Sequence, residues 1–129
     1  MPEVKRERSG WRDERLSSLH RTWGWDLPMV DIDWLVTEYD SAMPAAIVEY
    51  KNEKAKPADP KHPSYRAIKW LADMAGIPFF ACRYASDFSW WLVVPLNEKA
   101  KEFLRFRKKM TQEEYIHFMY SVRGKDVSF

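Results

Sequence analysis

A mixed α/β fold is the architecture this sequence predicts, and three observations predict it. Apolar and alternating stretches at 30–39, 45–51, 77–84 and 90–96 read as strands. Between the second and third of them lie Ile68, Leu71, Ala72 and Ala75, spaced for one face of a helix. Strands joined through a helix are expected to pair in parallel, whereas the first two, joined only by a turn, are expected to form an antiparallel hairpin. The expected sheet is therefore mixed, with helices packed against it.

Composition bounds the function. The chain has 129 residues, 46% of them hydrophobic and 31% charged, enough for one domain with its own core. Residues 1–10 read as a polar, loose arm and 11–129 as a single domain. A net charge of +2 does not by itself announce a nucleic-acid binder. Seven Trp in so short a chain imply either an aromatic core or a platform on which bases can stack. The lone Cys82 excludes an internal disulfide and a cysteine zinc cluster, and its place in a strand suggests a small buried side chain. His20, His62 and His117 share no metal-ligand spacing, and His62 reads as a loop histidine. No apolar run reaches the length needed to cross a bilayer, and the first ten residues carry no apolar signal region, so no membrane partner and a cytoplasmic location are expected.

The elements follow in order. A helix is expected from about 11 to 23, with Leu16, Leu19 and Trp23 as its apolar stripe and Gly24 ending it. The segment Asp40-Ser41-Ala42-Met43-Pro44 has turn composition. Residues 52–63 are polar and rich in proline, hence a loop; Ser64 is expected to cap a second helix that Gly76 and Pro78 terminate. Asn97 is expected to cap a third helix reaching about Met110, and Thr111-Gln112-Glu113-Glu114 is a capping box that opens a fourth. After Ser121 the chain is expected to fray.

The chemistry concentrates between Asp31 and Lys51. Period-two alternation puts Asp31, Asp33 and Leu35 on one face of the first strand; on the second, Glu49 and Lys51 share a face opposite Val48 and Tyr50. Aspartate is a poor strand former, yet two sit in the first strand, and Glu49 follows the apolar run Ala45-Ala46-Ile47-Val48, where the strand leaves the interior. If the strands pair, carboxylates and one ammonium converge. Mg²⁺ is held by one or two carboxylates with water and substrate phosphate, so Asp33 or Asp31, Glu49 and the carbonyl of Tyr50 form a candidate metal set beside Lys51.

An acid on one strand followed by Glu-x-Lys on the next resembles the PD-(D/E)xK nuclease superfamily, with Asp33 (or Asp31), Glu49 and Lys51 as the matching residues. The stretch Trp23-Gly24-Trp25 before the acidic strand is similar to that of small phage and prophage nuclease-like proteins. The resemblance covers roughly residues 11–96. It departs from the family pattern in that Pro28 lies three positions before Asp31 rather than next to the acid, and in lacking a clear short strand after the first helix. It implies a restriction-endonuclease-like fold, Mg²⁺ or Mn²⁺ as cofactor, DNA as substrate and phosphodiester hydrolysis, with Lys51 positioning the attacking water. It also implies a homodimer, and for a phage-encoded protein the host cytoplasm. Accessory roles fall to Glu14 on the first helix and to Tyr65 and Arg66 on the second.

Basic residues supply the remaining candidates. Lys54 and Lys56 follow the Glu-x-Lys strand, and Arg105, Lys108 and Lys109 belong to a strongly basic stretch from Lys99 to Lys109. Both are candidate contacts to a phosphate backbone. The competing expectation is a nucleic-acid-binding module on the same fold without catalysis; a third is an interaction protein that meets its partner through a Trp-rich face.

Overall fold

The computed structural model describes residues 14–57 and 59–124. The elements are α1 (Glu14–Thr22), β1 (Trp34–Thr37), β2 (Pro44–Asn52), α2 (Pro63–Ala75), β3 (Phe79–Tyr84), β4 (Trp91–Pro95), α3 (Glu98–Lys101), β5 (Lys108–Met110) and α4 (Gln112–Arg123). The strands form one five-stranded mixed sheet in the order β1-β2-β3-β4-β5. The pair β2–β3, joined through α2, is parallel; β1–β2 and β3–β4, joined by turns, are antiparallel, and so is β4–β5, although α3 lies between its strands.

Helices cover both faces of the sheet. On one, Ala46, Val48, Phe80, Cys82 and Val93 pack with Ala100, Met110, Tyr115 and Val122, closing the face with α4. On the other, Ile47 and Phe79 pack with Tyr65, Ile68 and Ala72 of α2. Alternation along β2 and β3 sends neighbouring residues to opposite clusters. Cys82 is a free, buried thiol, pushed up to about 12 by that burial, as suits a structural cysteine.

Asn97 joins these parts. It is 2% exposed, and both ends of its amide are engaged. Its Oδ1 accepts from Phe79 N at 2.9 Å and from Ala100 N at 2.9 Å; its Nδ2 donates to Ile77 O and Asp73 Oδ1, both at 3.0 Å. One side chain thus caps α3, fixes the start of β3 and holds the end of α2.

Several expectations are corrected. The first strand is short: 31–33 lie outside it, because the Asp33 carboxylate, rather than a strand carbonyl, accepts the Tyr50 N–H at 3.2 Å. The third helix stops at Lys101, and Lys108–Met110 instead pairs with β4, placing Met110 opposite Trp91 and in the core. Burying Met110 at a sheet edge outweighs the helical preference of the basic run. His62, not Ser64, is the N-cap of α2: its Nδ1 accepts from Ser64 N at 3.1 Å, with Pro63 at the first helical position. Leu16, Leu19 and Trp23 are each about half exposed, so the apolar stripe of α1 enters neither buried cluster. None of the described tryptophans is fully buried; the core is made by Phe79, Phe80, Ile47, Val48 and Val93. The capping box at Thr111 forms as expected and α4 continues past Ser121 to Arg123. The arm at 1–10, the start of the first helix before Glu14 and the last five residues lie outside the described residues.

Replacing Asn97 by Ala removes a helix cap and strands buried donors and acceptors. The expected loss is roughly 2–4 kcal/mol of folding stability, read as a lower midpoint in urea or thermal unfolding. Asn97→Asp, which cannot donate to Ile77 O and adds a charge beside Asp73, is expected to be no better tolerated.

Candidate functional site

The cleft begins where β2 leaves the core. Ala46, Ile47 and Val48 are buried, and at Glu49 the strand passes beyond the cover of α2. Glu49 and Lys51 project on the same face as Ile47, while Tyr50 turns to the other face, where its hydroxyl meets that of Tyr115. The β1–β2 register pairs Trp34 with Val48, which sets Asp33 against Glu49. In an antiparallel ladder a residue's N–H and C=O face the same edge. The Tyr50 N–H points to Asp33, so its carbonyl faces that side as well.

These side chains line an open cleft of about 520 Å³. Met29, Val30, Asp31 and Asp33 form one wall, Glu49 and Lys51 the floor, and Lys56, Pro57, Asp59, His62 and Tyr65 the other side. The order of the strand is thus translated into a site: the two carboxyls meet, the ammonium stands one residue pair further along β2, and α2 contributes a phenol.

The carboxyls are coupled. Burial pushes Glu49 up to about 7; the charge of Asp33 and a hydrogen bond to it add to this, and Lys51 opposes it. Glu49 Oε2 and the Tyr65 hydroxyl are buried polar atoms with no hydrogen-bond partner in the protein. Tyr65 stacks on Phe79 with ring centroids 6.2 Å apart, and burial, then the charges of Glu49 and Asp33, push its phenol up to about 12. It therefore stays protonated, a hydrogen-bond donor held at the cleft.

A divalent cation fits this chemistry. An uncompensated carboxylate oxygen beside a second carboxylate is costly unless a proton or a cation neutralises it. Among the described residues no group of three or more His, Cys, Asp or Glu side chains is gathered for a metal. Mg²⁺, which keeps several waters, needs only one or two carboxylates. Between the two aspartates, Asp33 is the one bonded into β2 and coupled to Glu49, while Asp31 lines the wall.

Other candidates lie elsewhere. Glu14 is exposed on α1, and neither it nor Arg66 lines the cleft. Lys56 lies on the rim, whereas Lys54 lines a separate groove. Lys108 and Lys109 are on β5, across the sheet, and Arg105 stacks its guanidinium 6.0 Å from the centroid of Phe106. In the rest of the basic stretch, Lys99 pairs with Glu102 at 3.0 Å and Lys101 with Glu98 at 3.1 Å. No sequence pattern pointed to Arg83, which lies opposite Lys51 and whose guanidinium donates to the carbonyls of Glu53 and Ala55, the latter at 3.2 Å. A strand arginine carries no motif; only the register reveals it.

The fold and site together define a mixed α/β protein with an open carboxylate–lysine cleft. Compared with known protein families, curated proteins and solved structures, the chain finds no significant match. Among the described residues no helix is long and apolar enough to cross a membrane.

The raised Glu49 sets a pH dependence. In the unfolded chain it ionises near 4.5 but in the folded protein only near 7, so the folded state holds the extra proton between those values. Without metal, stability should fall as pH rises from about 4.5 to about 7. Glu49→Gln should flatten this decline, gaining on the wild type at pH 8 relative to pH 5 in thermal melts with EDTA. Mg²⁺ should raise the wild-type midpoint at pH 8 and leave Glu49→Gln nearly unmoved.

Proposed function

We propose that this chain is a divalent-metal-dependent nuclease of the PD-(D/E)xK kind, its sheet a restriction-endonuclease-like core and its substrate DNA. The observation that carries the reading is the contact between Asp33 and Glu49 beside Lys51, with Glu49 Oε2 buried and unpartnered at the cleft.

Mg²⁺ or Mn²⁺ supplies, when bound, polarisation of a phosphoryl oxygen and a water of lowered pKa. Asp33 and Glu49 would hold the cation, with the Tyr50 carbonyl facing the same side. Lys51, on the floor of the cleft, holds the attacking water or a phosphate oxygen, and its fixed charge favours the anion that builds on phosphorus. Tyr65 donates a hydrogen bond to an oxygen brought into the cleft. Lys56 on the rim attracts the backbone. A cytoplasmic setting suits the buried, unpaired Cys82.

The test is cleavage of single-stranded, duplex and branched DNA, and of RNA, with Mg²⁺, Mn²⁺ or EDTA. Cutting should require the divalent ion. Lys51→Ala and Glu49→Gln should each lower the rate roughly 10²- to 10⁴-fold while Lys51→Ala still binds substrate. Equal cleavage by Lys51→Ala would sink the assignment of that residue; binding without cleavage under every condition would leave the non-catalytic nucleic-acid-binding module.

A further inference from the structure

Beyond the cover of α2, the same sheet face carries a second feature. Register places Lys51 opposite Arg83, Arg83 opposite Leu92 and Leu92 opposite Lys109. This row of residues crosses four strands, about 14 Å at the usual strand spacing. Trp91 belongs to the opposite face, in the α4 cluster, so Trp90 falls on the face of this row, diagonal to Lys109. The Lys109 Nζ lies 5.0 Å from the centroid of the Trp90 ring.

Trp90 lines a groove of about 310 Å³ with Glu53, Lys54, Ala85, Ser86, Asp87 and Ser89. Its walls are tied in place. Ser86 N donates to Glu53 Oε2 at 3.0 Å, Lys54 N to Asn52 Oδ1 at 3.0 Å and Ser89 N to Asp87 Oδ1 at 3.0 Å. Arg83 holds the 53–55 turn from below. In the 85–89 turn Phe88 takes a left-handed φ of 60°, costly for an aromatic residue, and is held there by stacking on Tyr84 and Trp91 and by the Trp91 indole N–H, which donates to its carbonyl. A small polar groove with one aromatic wall, a cation beside that ring and a lysine on the rim matches a nucleobase attached to a phosphate. The carboxylates of Glu53 and Asp87 suit a base edge, which can offer amino donors, and not a phosphate. Lys51, which lines the cleft, and Lys54, which lines the groove, stand three residues apart on the chain.

We propose that this groove takes one unstacked base of a single-stranded nucleic acid, stacked on Trp90, while the strand's backbone passes Lys54 and Lys51 toward the carboxylate cleft. The proposal rests on the nuclease reading for the cleft and assigns the form of its substrate: a single strand, or a single-stranded flank beside a duplex. A base paired inside a helix is not free to enter.

The experiment is a fluorescence-anisotropy titration of end-labelled single-stranded and hairpin-duplex oligonucleotides of equal length, at low salt in EDTA, where no cutting occurs. The wild type should bind the single strand more tightly. Trp90→Ala should weaken that binding roughly 5- to 150-fold and change duplex binding by less than about twofold, while Trp90→Tyr keeps most of the affinity. Ser86→Tyr, at an exposed position, fills the groove and should reproduce the loss if Trp90→Ala fails to fold. Undiminished single-strand binding in these variants, equal losses on single strand and duplex, or no single-strand binding by the wild type overturns the base site. Cutting assays with Mg²⁺ separate the two readings: metal-dependent cleavage with unchanged Trp90→Ala binding removes only the base site, and Trp90-dependent binding without cleavage removes only the nuclease.

Discussion

The parallel pairing of β2 with β3 is the constraint on which the rest of the molecule depends. Ile47, Val48, Phe79, Phe80 and Cys82 are almost wholly withdrawn from water, and they supply the central residues of both buried clusters. A parallel pair cannot close through a tight turn, so the chain must travel from Asn52 to Phe79 through α2, which lies over the face it crosses. That crossover also delivers Tyr65 to Glu49, and its return is pinned by Asn97 at Phe79 N. The site is a consequence of how far α2 reaches along the strands. Where its apolar cover stops, β2 turns from valine to glutamate.

The two faces of the sheet differ accordingly. On the α4 side, Tyr50, Tyr84, Trp91 and Tyr115 make a continuous set of ring contacts, Trp91 and Tyr115 being stacked nearly parallel at 6° with centroids 5.0 Å apart. This cluster holds β2 rigid from behind, and rigid support is what a pair of coupled carboxyls needs to stay in register. On the α2 side, the ends of the strands carry Glu49, Lys51, Arg83 and Lys109 and are left for polar contacts. Both faces bury a cluster under their helix, and only the α2 face leaves charged side chains open beyond it, a division set by single-residue alternation.

Local signals made much of this legible and non-local ones did not. The hairpin, the parallel crossover, Cys82 in the core, the capping box at Thr111 and the shared face of Glu49 and Lys51 follow from periodicity and punctuation within a few residues. The errors lie where a distant partner overrides a local preference. Basic residues 105–109 favour a helix by composition, but the open edge of β4 takes 108–110 as a strand. Asp33 looked like a strand residue, yet its side chain does the work a strand carbonyl would have done. The choice between Asp31 and Asp33, and the roles of Arg83 and His62, depend on register and loop closure, which no window of sequence contains. The tryptophans misled for a different reason: abundance suggested a core, yet Trp23, Trp25, Trp34 and Trp70 are exposed, and among the described tryptophans only Trp91 packs against a buried cluster.

The carboxyl pair ties folding to ligand in one further way. Holding Asp33 against Glu49 places like charges together in a partly buried cleft, an arrangement that opposes folding at neutral pH unless it is neutralised. Two species can do this: a proton, which Glu49 keeps up to about pH 7, and a divalent cation. Lys51 contributes only in part, since it lowers Glu49 less than burial and Asp33 raise it. A closer salt bridge would relieve the cleft more fully, but it would also engage the Glu49 oxygen that is now unpartnered. The incomplete compensation at Glu49 is therefore the physical ground for the proposed cation site, and a cation bound there would return the stability that the like charges cost.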